Sequence, residues 1–475
     1  MRAMGARALD MVVRHFEEVR EQPVSRERRR DELDRLLDWT IREEGVPADT
    51  VLEEVERLVF TNITHTDHPR FFAFVPSPTN FPSVVADFLA TGHNVFAGHW
   101  LASSAAARIE LVVLDWLKAA CGLPDSAGGV LVSGGSMANL TAIATAREVC
   151  LGGPDETSVV YCSDQTHSSL SKGLRVLGFR PAQRRVIATD AALRLSVPAL
   201  AAAIAEDRAA GRRPFCVVAN AGTTNAGAVD PLDGLADLSA REGLWLHVDG
   251  AYGAAAVITE RGRAALRGME RADSLTLDPH KWLFQPYEIG CLLVREGRHL
   301  RTAFRVKDED HADYLEEASQ EHDGEVNFFE NGVQLTRSFR ALKLWMSLRI
   351  FGLAEFRRAV DVGFDLADEA ERLLREDGRW EIVTPSQMAV VNFRWRDDAM
   401  GPESIDVVTR RTVERMRRDG YALVFSTAFN DRPVLRLCLI HPGTRPAEIA
   451  ETIARLGRFA TQEAEAERRR ISGGG

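Results

Sequence analysis

The sequence predicts an α/β fold with a mostly parallel central sheet, followed by a small α+β C-terminal domain. Between about residues 129 and 295, short apolar runs bounded by turn residues alternate with alanine-rich helical stretches, as in parallel strands joined by crossover helices. After residue 352 the pattern changes, and two apolar stretches predict a separate region: "WEIVTPSQMAVVNFRW" and "VLRLCLIHPGTRPAEI". The length of 475 residues also exceeds one ordinary core.

Three segments are expected along the chain, covering residues 1–80, 81–352 and 353–475. The first combines apolar residues at helical spacing with an extended, proline-rich stretch. The second is the large α/β domain, with helices expected over roughly 103–120 and 336–351. The third is the small domain, which ends in a charged, glycine-terminated tail.

Composition is typical of a globular protein and argues against several classes of partner. Hydrophobic residues make up 45% of the chain and charged residues 27%, and the formal net charge is −10. Nucleic acid and anionic membrane surfaces are therefore not expected as partners. No apolar run approaches the roughly 18 residues of a membrane span, and no signal peptide is evident. The six cysteines show no CxxC spacing, so we expect no zinc or disulfide framework and a cytoplasmic protein.

A glycine-rich turn follows the first predicted strand. In "VLVSGGSMANL", residues 130–140, a strand turns into a helix, so backbone N–H groups are available to a phosphate. The lysine of a nucleotide-triphosphate loop is missing. The alternative is an ordinary tight turn. Ligands of parallel sheets bind at the carboxyl ends of the strands, which is where this turn lies.

Lysine is rare in this chain, and one lysine follows a predicted strand. Only five of the 59 basic residues are lysines, and Lys281 lies in "DPHKW" after the run "SLTL". Arginine stays protonated, whereas a desolvated lysine can lose its proton and attack a carbonyl to form an imine. Lys281 is therefore a candidate for covalent chemistry.

Two further candidates follow predicted strands. Asp249 ends "LWLHVD", where a buried carboxylate requires a cationic partner. It is alternatively a solvated loop residue or a metal ligand, although no cluster at metal-ligand spacing accompanies it. His167 follows "VVYCSDQT" and is either structural or catalytic. The small hydroxyl residues of "NAGTTNAGAVD" suit a loop that closely approaches a flat ligand.

The chain resembles the pyridoxal-phosphate-dependent group II amino-acid decarboxylases, and among them the aromatic-L-amino-acid decarboxylases. The resemblance covers nearly the whole chain, through "HPRFFAFVPS", "RIELVVLDWL", "SGGSMAN", "SDQTHSS", "GTTNAGAVD", "WLHVDGAYG", "DPHKW" and "LTRSFRALKLW". It implies fold type I, the aspartate-aminotransferase-like fold. It also implies pyridoxal 5'-phosphate as cofactor and an amino acid as the small-molecule substrate.

The resemblance also implies roles for individual residues. Lys281 would hold the cofactor aldehyde, Asp249 would pair with the protonated pyridine nitrogen, and His167 would stack on one ring face. Ala251 would support the other face, and Thr224 would lie near the polar edge of the ring. The phosphate would be held by Gly135, Ser136 and His280. Phe74, Ser77, Phe96 and Trp100 are the expected substrate contacts, and Phe71 and Phe72 are either pocket or core aromatics.

One position departs from the family pattern. Aromatic decarboxylases carry a loop tyrosine that returns a proton to the substrate carbon, and ungapped counting from "LTRSFRALK" places Phe328 there. Phenylalanine cannot donate a proton. In related aldehyde synthases, phenylalanine at this position accompanies reaction with oxygen. Tyr314, His311 and His322 are alternative proton donors in the same segment.

Three functions follow from these observations. The first is decarboxylation of an L-amino acid, aromatic or bulky, to the amine. The second is decarboxylation-dependent oxidative deamination to an aldehyde, with ammonia and peroxide. The third covers other reactions of the cofactor, such as β-elimination or transamination, and a non-catalytic relative that only binds cofactor or partners.

The resemblance finally implies a homodimer with shared active sites. Residues 1–80 would pack on the partner subunit, and the segment "NVFAGHW" would reach the partner's site, so Phe96 and Trp100 would shape the neighbouring pocket. Gly98 stands where relatives can carry an aromatic residue and is expected to enlarge the substrate site.

Overall fold

The structure is a computed structural model that describes residues 1–37, 40, 43–305 and 324–472. The chain forms two compact units. The larger unit consists of Ser77–Asp365 and Ser386–Val390, and the smaller unit consists of Met1–Pro76, Leu366–Pro385 and Val391–Gly475. The N-terminal segment thus shares a compact unit with most of the C-terminal region, which sequence spacing alone did not indicate.

The larger unit is built on a seven-stranded sheet. Its strands are β1 (Gly128–Val132), β2 (Ser158–Ser163), β3 (Arg184–Ile187), β4 (Arg213–Asn220), β5 (Trp245–Asp249), β6 (Ser274–Leu277) and β7 (Gly290–Val294). The strand order is β1-β7-β6-β5-β4-β2-β3. Only β7 runs antiparallel to its two neighbours, and the other four neighbouring pairs are parallel. The predicted mostly parallel sheet is therefore confirmed.

Burial explains which strands the sequence reveals. All residues of β2, β5, β6 and β7 are buried, as expected for strands covered on both faces, so they read as continuous apolar runs. In β3, by contrast, only Ile187 is buried. This edge strand begins with Arg184 and Arg185 and carries too little apolar character to be recognised in the sequence.

The helices connect these strands and flank them in the chain. They are α1 (Arg2–Glu18), α2 (Arg30–Leu36), α3 (Ala48–Glu54), α4 (Phe81–Gly92), α5 (Trp100–Ala120), α6 (Gly135–Leu151), α7 (Ser168–Val176), α8 (Val197–Ala209), α9 (Leu232–Glu242), α10 (Glu260–Ala265), α11 (Arg298–Phe304), α12 (Ala341–Asp377), α13 (Pro402–Asp419) and α14 (Pro446–Ser472). Gly352 interrupts α12 with φ of 76°, a left-handed conformation that glycine adopts readily. None of the described helices is long and apolar enough to cross a membrane.

A second, smaller sheet follows α12. It contains β8 (Trp380–Gln387), β9 (Val390–Trp395), β10 (Phe425–Phe429) and β11 (Arg432–Cys438), in the order β10-β11-β9-β8. This agrees with the small α+β region that the sequence predicts after residue 352. In the smaller unit, Phe71 packs in a buried cluster with Val24, Ala73 and Leu423. Phe71 and Phe72 are each 1% exposed.

Candidate active site

A cavity of about 430 Å³ lies at the carboxyl ends of the central strands. Most of its lining residues lie at or shortly after the ends of β1, β2, β4, β5 and β6, which is where ligands of such sheets bind. All eight residues expected to contact the cofactor line this one cavity: Gly135, Ser136, His167, Thr224, Asp249, Ala251, His280 and Lys281. Residues scattered over about 150 positions of the sequence therefore meet because their strands lie side by side.

The phosphate turn combines a close backbone approach with a helix N-terminus. Gly134 precedes α6, and no side chain caps the helix there, so its first N–H groups are available to a ligand. A Cβ at Gly135 would lie 2.8 Å from the Ala251 Cβ and 3.0 Å from Asp278 Oδ2. A side chain at this position would therefore crowd the cavity wall.

Lys281 is held at the cavity by a buried carboxylate. Its Nζ lies 3.0 Å from Asp278 Oδ2, and Asp278 is 1% exposed. Asp278 Oδ1 is buried and has no hydrogen-bond partner among the described residues. Next to it, His280 Nδ1 lies 2.6 Å from the Ile289 carbonyl oxygen and donates to it, and burial lowers the pKa of His280. Asp278 was not singled out in the sequence, although it is part of "DPHKW".

Asp249 and His167 are each fixed by neighbouring polar groups. Asp249, 8% exposed at the end of β5, accepts hydrogen bonds from Asn139 Nδ2 at 2.8 Å and from the Ala251 N–H at 3.2 Å. His167 caps α7, and its Nδ1 lies 2.9 Å from Ser169 Oγ. Sequence reasoning missed Asn139 and Ser169. The available signal was their position in the first turns of helices that follow strands β1 and β2.

The donor set of the cavity fits pyridoxal phosphate. An uncapped helix N-terminus suits its phosphate, a lysine suits its aldehyde, and a buried carboxylate suits its ring nitrogen. The volume is also within the range of small-molecule sites, roughly 300–1,000 Å³.

The expected substrate contacts are not among the residues that line this cavity. Ser77 is buried, and its hydroxyl donates to the His280 carbonyl oxygen at 2.5 Å. Phe74 is 61% exposed, and its ring packs edge-on against Phe425. Trp100 begins α5, where its N–H donates to Asn327 Oδ1 at 3.0 Å. Their contacts with substrate therefore stay a prediction.

Gly98 does not leave open space within the chain. A Cβ at this position would overlap the ring of Phe96. The Phe96 ring occupies the space beside Gly98 in this chain, and the expectation that Gly98 enlarges the substrate site stays a prediction.

Phe328 is a core residue in this structure. It is 1% exposed, and its ring centroid lies 4.9 Å from the guanidinium carbon of Arg337. It is not among the residues that line the cavity. The alternative proton donors Tyr314, His311 and His322 lie outside the described residues.

One group of potential metal ligands lies in the smaller unit. His15, His65 and Asp67 offer ligand atoms within 4.8 Å of one another. However, His15 Nε2 and Asp67 Oδ2 already pair at 2.7 Å, and this hydrogen bond raises the pKa of His15. The contact between His15 and Asp67 is therefore explained as an ion pair within the N-terminal segment, without a metal ion.

Comparison with known proteins connects this cavity to a reaction. Residues 31–396 match the family model described as the pyridoxal-dependent decarboxylase conserved domain. The chain is 46% identical to an aromatic-L-amino-acid decarboxylase of Bacillus atrophaeus, over 97% of this chain and 96% of that protein. Among solved structures, Oryza sativa TDC with PLP and tryptamine superposes with a TM-score of 0.90 at 31% identity, covering 97% of both chains.

An aldehyde-forming relative is also similar in structure. The 4-hydroxyphenylacetaldehyde synthase of Rhodiola rosea has a TM-score of 0.89 at 27% identity, covering 97% of this chain and 98% of that one. The fold is thus the one shared by these pyridoxal-phosphate enzymes. The match to the family model and the identity to the Bacillus protein show that this chain belongs to the pyridoxal-dependent decarboxylase family and is a pyridoxal-phosphate-dependent carboxy-lyase.

Proposed function

We propose that the protein decarboxylates an aromatic L-amino acid to the corresponding amine. The observation that carries this proposal is the convergence of Lys281, Asp249 and His167 on one cavity beside an uncapped helix N-terminus. The aromatic substrate class is supported by the Bacillus relative, which is named for aromatic L-amino acids, and by the Oryza structure, which contains tryptamine.

The overall reaction exchanges carbon dioxide for a proton. The bond between the α-carbon and the carboxylate breaks, CO₂ leaves, and the electron pair stays with the α-carbon until a proton replaces the lost group. When bound, pyridoxal phosphate supplies an aldehyde that takes up the substrate amine and a ring that accepts this electron pair. The amine is the organic product.

The residues of the cavity divide this work. Lys281 would hold the cofactor aldehyde, and its ammonium group has a partner in Asp278 Oδ2, 3.0 Å away. Asp249 holds a proton on the ring nitrogen, because an opposite charge nearby favours the protonated form. His167 would pack on one ring face and Ala251 on the other, and these two contacts would fix the orientation of the ring.

The phosphate end of the cavity supplies binding rather than chemistry. The backbone at Gly135 and Ser136 offers N–H groups at the start of α6, where the helix dipole favours an anion. His280 adds a polar side chain near the same turn, since a Cβ at Gly134 would lie 3.2 Å from its Cε1. Thr224 lines the cavity and would lie near the polar edge of the ring.

Product analysis tests the function. The purified protein is incubated with tryptophan, tyrosine, phenylalanine and non-aromatic amino acids, and CO₂, amine, ammonia and peroxide are measured together. Our proposal requires CO₂ and amine in equal amounts from an aromatic amino acid, with no peroxide. Equal release of CO₂, ammonia and peroxide would identify an aldehyde synthase instead. Cofactor binding without turnover of any amino acid would identify a non-catalytic relative.

We further propose that the active form is a homodimer with shared sites, in which residues 1–80 pack on the partner subunit and Phe96 and Trp100 shape the neighbouring pocket. Helices α4 and α5 of the larger unit expose large apolar side chains that water disfavours: Phe81, Phe88, Leu89, Leu101 and Val112. Phe88 and Leu101 are 72% and 74% exposed. A second copy of the chain is the expected partner for this apolar surface.

Sedimentation of matched variants tests the dimer. Phe88→Asp places a charge in the apolar surface of α4 and α5, and we expect it to shift the protein to monomers and reduce activity. Val176→Asp, at a 64% exposed position on α7, should leave the dimer intact. A wild-type monomer with full activity would contradict shared sites.

The compartment is proposed to be the cytoplasm. None of the six cysteines, all of which lie in the described part of the chain, forms a disulfide. Five of them are buried and pack as small apolar residues: Cys121, Cys162, Cys216, Cys291 and Cys438. Buried thiols outside disulfides suit a reducing compartment.

A further inference from the structure

A chain of buried polar side chains lies behind Asp249. It consists of Trp245, Ser274, His247, Asn139 and Asp249, and we call it the polar chain. Its middle members Ser274, His247 and Asn139 are at most 2% exposed, so water does not complete their hydrogen bonds. Buried polar groups are costly unless they are paired, and each of these side chains has a partner.

Asn139 uses both ends of its amide. Nδ2 lies 2.8 Å from Asp249 Oδ2 and 3.0 Å from Ser169 Oγ. Oδ1 lies 2.8 Å from Thr276 Oγ1 and 3.1 Å from His247 Nε2. The amide thus has a partner for each of its two N–H groups and for both lone pairs of its oxygen.

The direction of every hydrogen bond follows from the side chains at the two ends. An ionised carboxylate only accepts, so the NH₂ group of Asn139 faces Asp249 and its oxygen faces His247. His247 must then donate from Nε2, which leaves Nδ1 to accept from the Ser274 hydroxyl, 2.8 Å away. The indole N–H of Trp245 can only donate. Ser274 Oγ therefore accepts from Trp245 Nε1, also at 2.8 Å.

This direction requires His247 to be neutral. Burial lowers the pKa of His247 to about 4, so the ring carries one proton at neutral pH. Rotating the Asn139 amide by 180° would place its oxygen against the Asp249 carboxylate, so that two acceptors would face each other with no hydrogen between them. Only one orientation of Asn139 is therefore compatible with its surroundings.

Asn139 also reaches His167. Ser169 Oγ accepts from Asn139 and donates to His167 Nδ1 at 2.9 Å. One N–H group of the Asn139 amide thus bonds to Asp249, and the other is linked to His167 through Ser169. We propose that Asn139 is a positioning residue that fixes the Asp249 carboxylate directly and the His167 ring through Ser169, with its own orientation set by His247 and Thr276. The proposal rests on the proposed contacts of Asp249 and His167 with the cofactor.

Cofactor release tests the proposal without reference to turnover. The holoenzyme is diluted into an excess of a scavenger for free pyridoxal phosphate, and the loss of visible absorption gives the release rate. Asn139→Leu keeps the volume but removes both donors, and we expect release to be about tenfold faster, the effect of losing one hydrogen bond to a charged group. Asn139→Asp places a second carboxylate against Asp249 and should release cofactor faster still.

A matched control separates positioning from general destabilisation. Thr145 is 0% exposed on the same helix, and its hydroxyl donates to the Thr141 carbonyl oxygen, 2.8 Å away, with no other hydrogen-bond partner among the described residues. Thr145→Val is therefore a buried polar deletion remote from Asp249 and should leave the release rate unchanged. If Asn139→Leu fails to fold, Thr276→Val takes its place, since it removes one donor to Asn139 Oδ1 and should speed release in the same direction.

A double variant decides whether the effect passes through Asp249. In an Asp249→Asn background, Asn139→Leu should speed release clearly less than in the wild type, because the charge that it positions is gone and only its contact with His167 through Ser169 remains to be lost. The same tenfold effect in both backgrounds, or wild-type release in Asn139→Leu, would overturn the proposal. A wild-type enzyme that binds cofactor but makes no amine would refute the proposed function and leave this measurement interpretable.

Discussion

At the scale of single residues, the surroundings of Phe328 determine how its chemistry is interpreted. Its ring is buried against Arg337, a contact in which the cation faces an aromatic ring. The Phe328 side chain therefore does not line the cavity of its own chain. The aldehyde-forming alternative depended on this residue, and the described structure gives that alternative no support from the position of the ring.

Phe328→Tyr should therefore destabilise the protein and leave its product unchanged. The added hydroxyl would be buried at a 1% exposed position, at a cost of about 1–3 kcal/mol. Phe329→Tyr is the matched control. Phe329 is partly exposed, so the hydroxyl of a tyrosine at this position is expected to reach water. Thermal melting measures the first effect, and the ratio of amine to aldehyde measures the second. A changed ratio in Phe328→Tyr would show that this position does steer the reaction.

At the scale of elements, the turn between β1 and α6 leaves no space for a side chain at Gly135. We expect Gly135→Ala to weaken cofactor binding by at least tenfold. The new Cβ would lie 2.8 Å from the Ala251 Cβ, and both residues line the cavity that is proposed to hold the cofactor. Gly5→Ala, with nothing within 4 Å on the exposed surface of α1, should bind cofactor like the wild type. Fluorescence titration with pyridoxal phosphate measures both, and equal affinities would contradict a close backbone approach.

A buried ion pair joins Glu110 of α5 to Arg337, which lies just before α12. Arg337 Nη2 lies 2.5 Å from Glu110 Oε1, and Arg337 also donates to the carbonyl oxygens of Leu131 and Ala97. Arg337→Met would leave the Glu110 carboxylate buried without its cation, so unfolding free energy should fall by about 3–5 kcal/mol. Arg108→Met, an exposed site on α5, is the control and should change little. Similar melting temperatures for the two variants would contradict this account.

The sequence predicts these elements unevenly, for physical reasons. Buried strands such as β5 are visible because both of their faces are apolar, and their ends locate Asp249 and Lys281 correctly at one edge of the sheet. Edge strand β3 is hidden because it is mostly exposed and charged. Asn139 is hidden for a different reason: its role depends on partners from β5 and β6 that are more than 100 residues away in the chain. A sequence gives no distances between such residues.

At the scale of the whole molecule, two buried histidines should make the fold sensitive to mild acid. Burial lowers the pKa of His68 and of His247 to about 4 each. His68 Nδ1 accepts from the Arg70 N–H at 2.9 Å, so its protonation would remove that acceptor. Below the ordinary pKa of about 6.5, the unfolded chain takes up protons that the folded protein refuses, so stability falls as pH decreases.

The expected loss between pH 7.5 and 5 is about 2 kcal/mol for each of these histidines, a window in which most carboxylates stay ionised. His15 acts in the opposite direction, since its raised pKa favours the folded state at low pH. It is one group against several histidines whose pKa burial lowers, among them His65, His68, His247 and His280. Urea unfolding at both pH values measures the change. His68→Gln should reduce it, whereas His93→Gln, at an exposed position, should not. An equal or higher midpoint at pH 5 would contradict the burial argument.

The most direct test of the account is to locate the covalent bond between protein and cofactor. The holoenzyme is reduced with borohydride and digested, and the modified peptide is identified by mass spectrometry. The chain contains only five lysines, Lys118, Lys172, Lys281, Lys307 and Lys343, so the assignment is unambiguous. We predict a pyridoxyl group on Lys281 and its absence in Lys281→Ala. A modified lysine elsewhere, or no modified lysine in a cofactor-saturated protein, would contradict the assignment of this cavity as the active site.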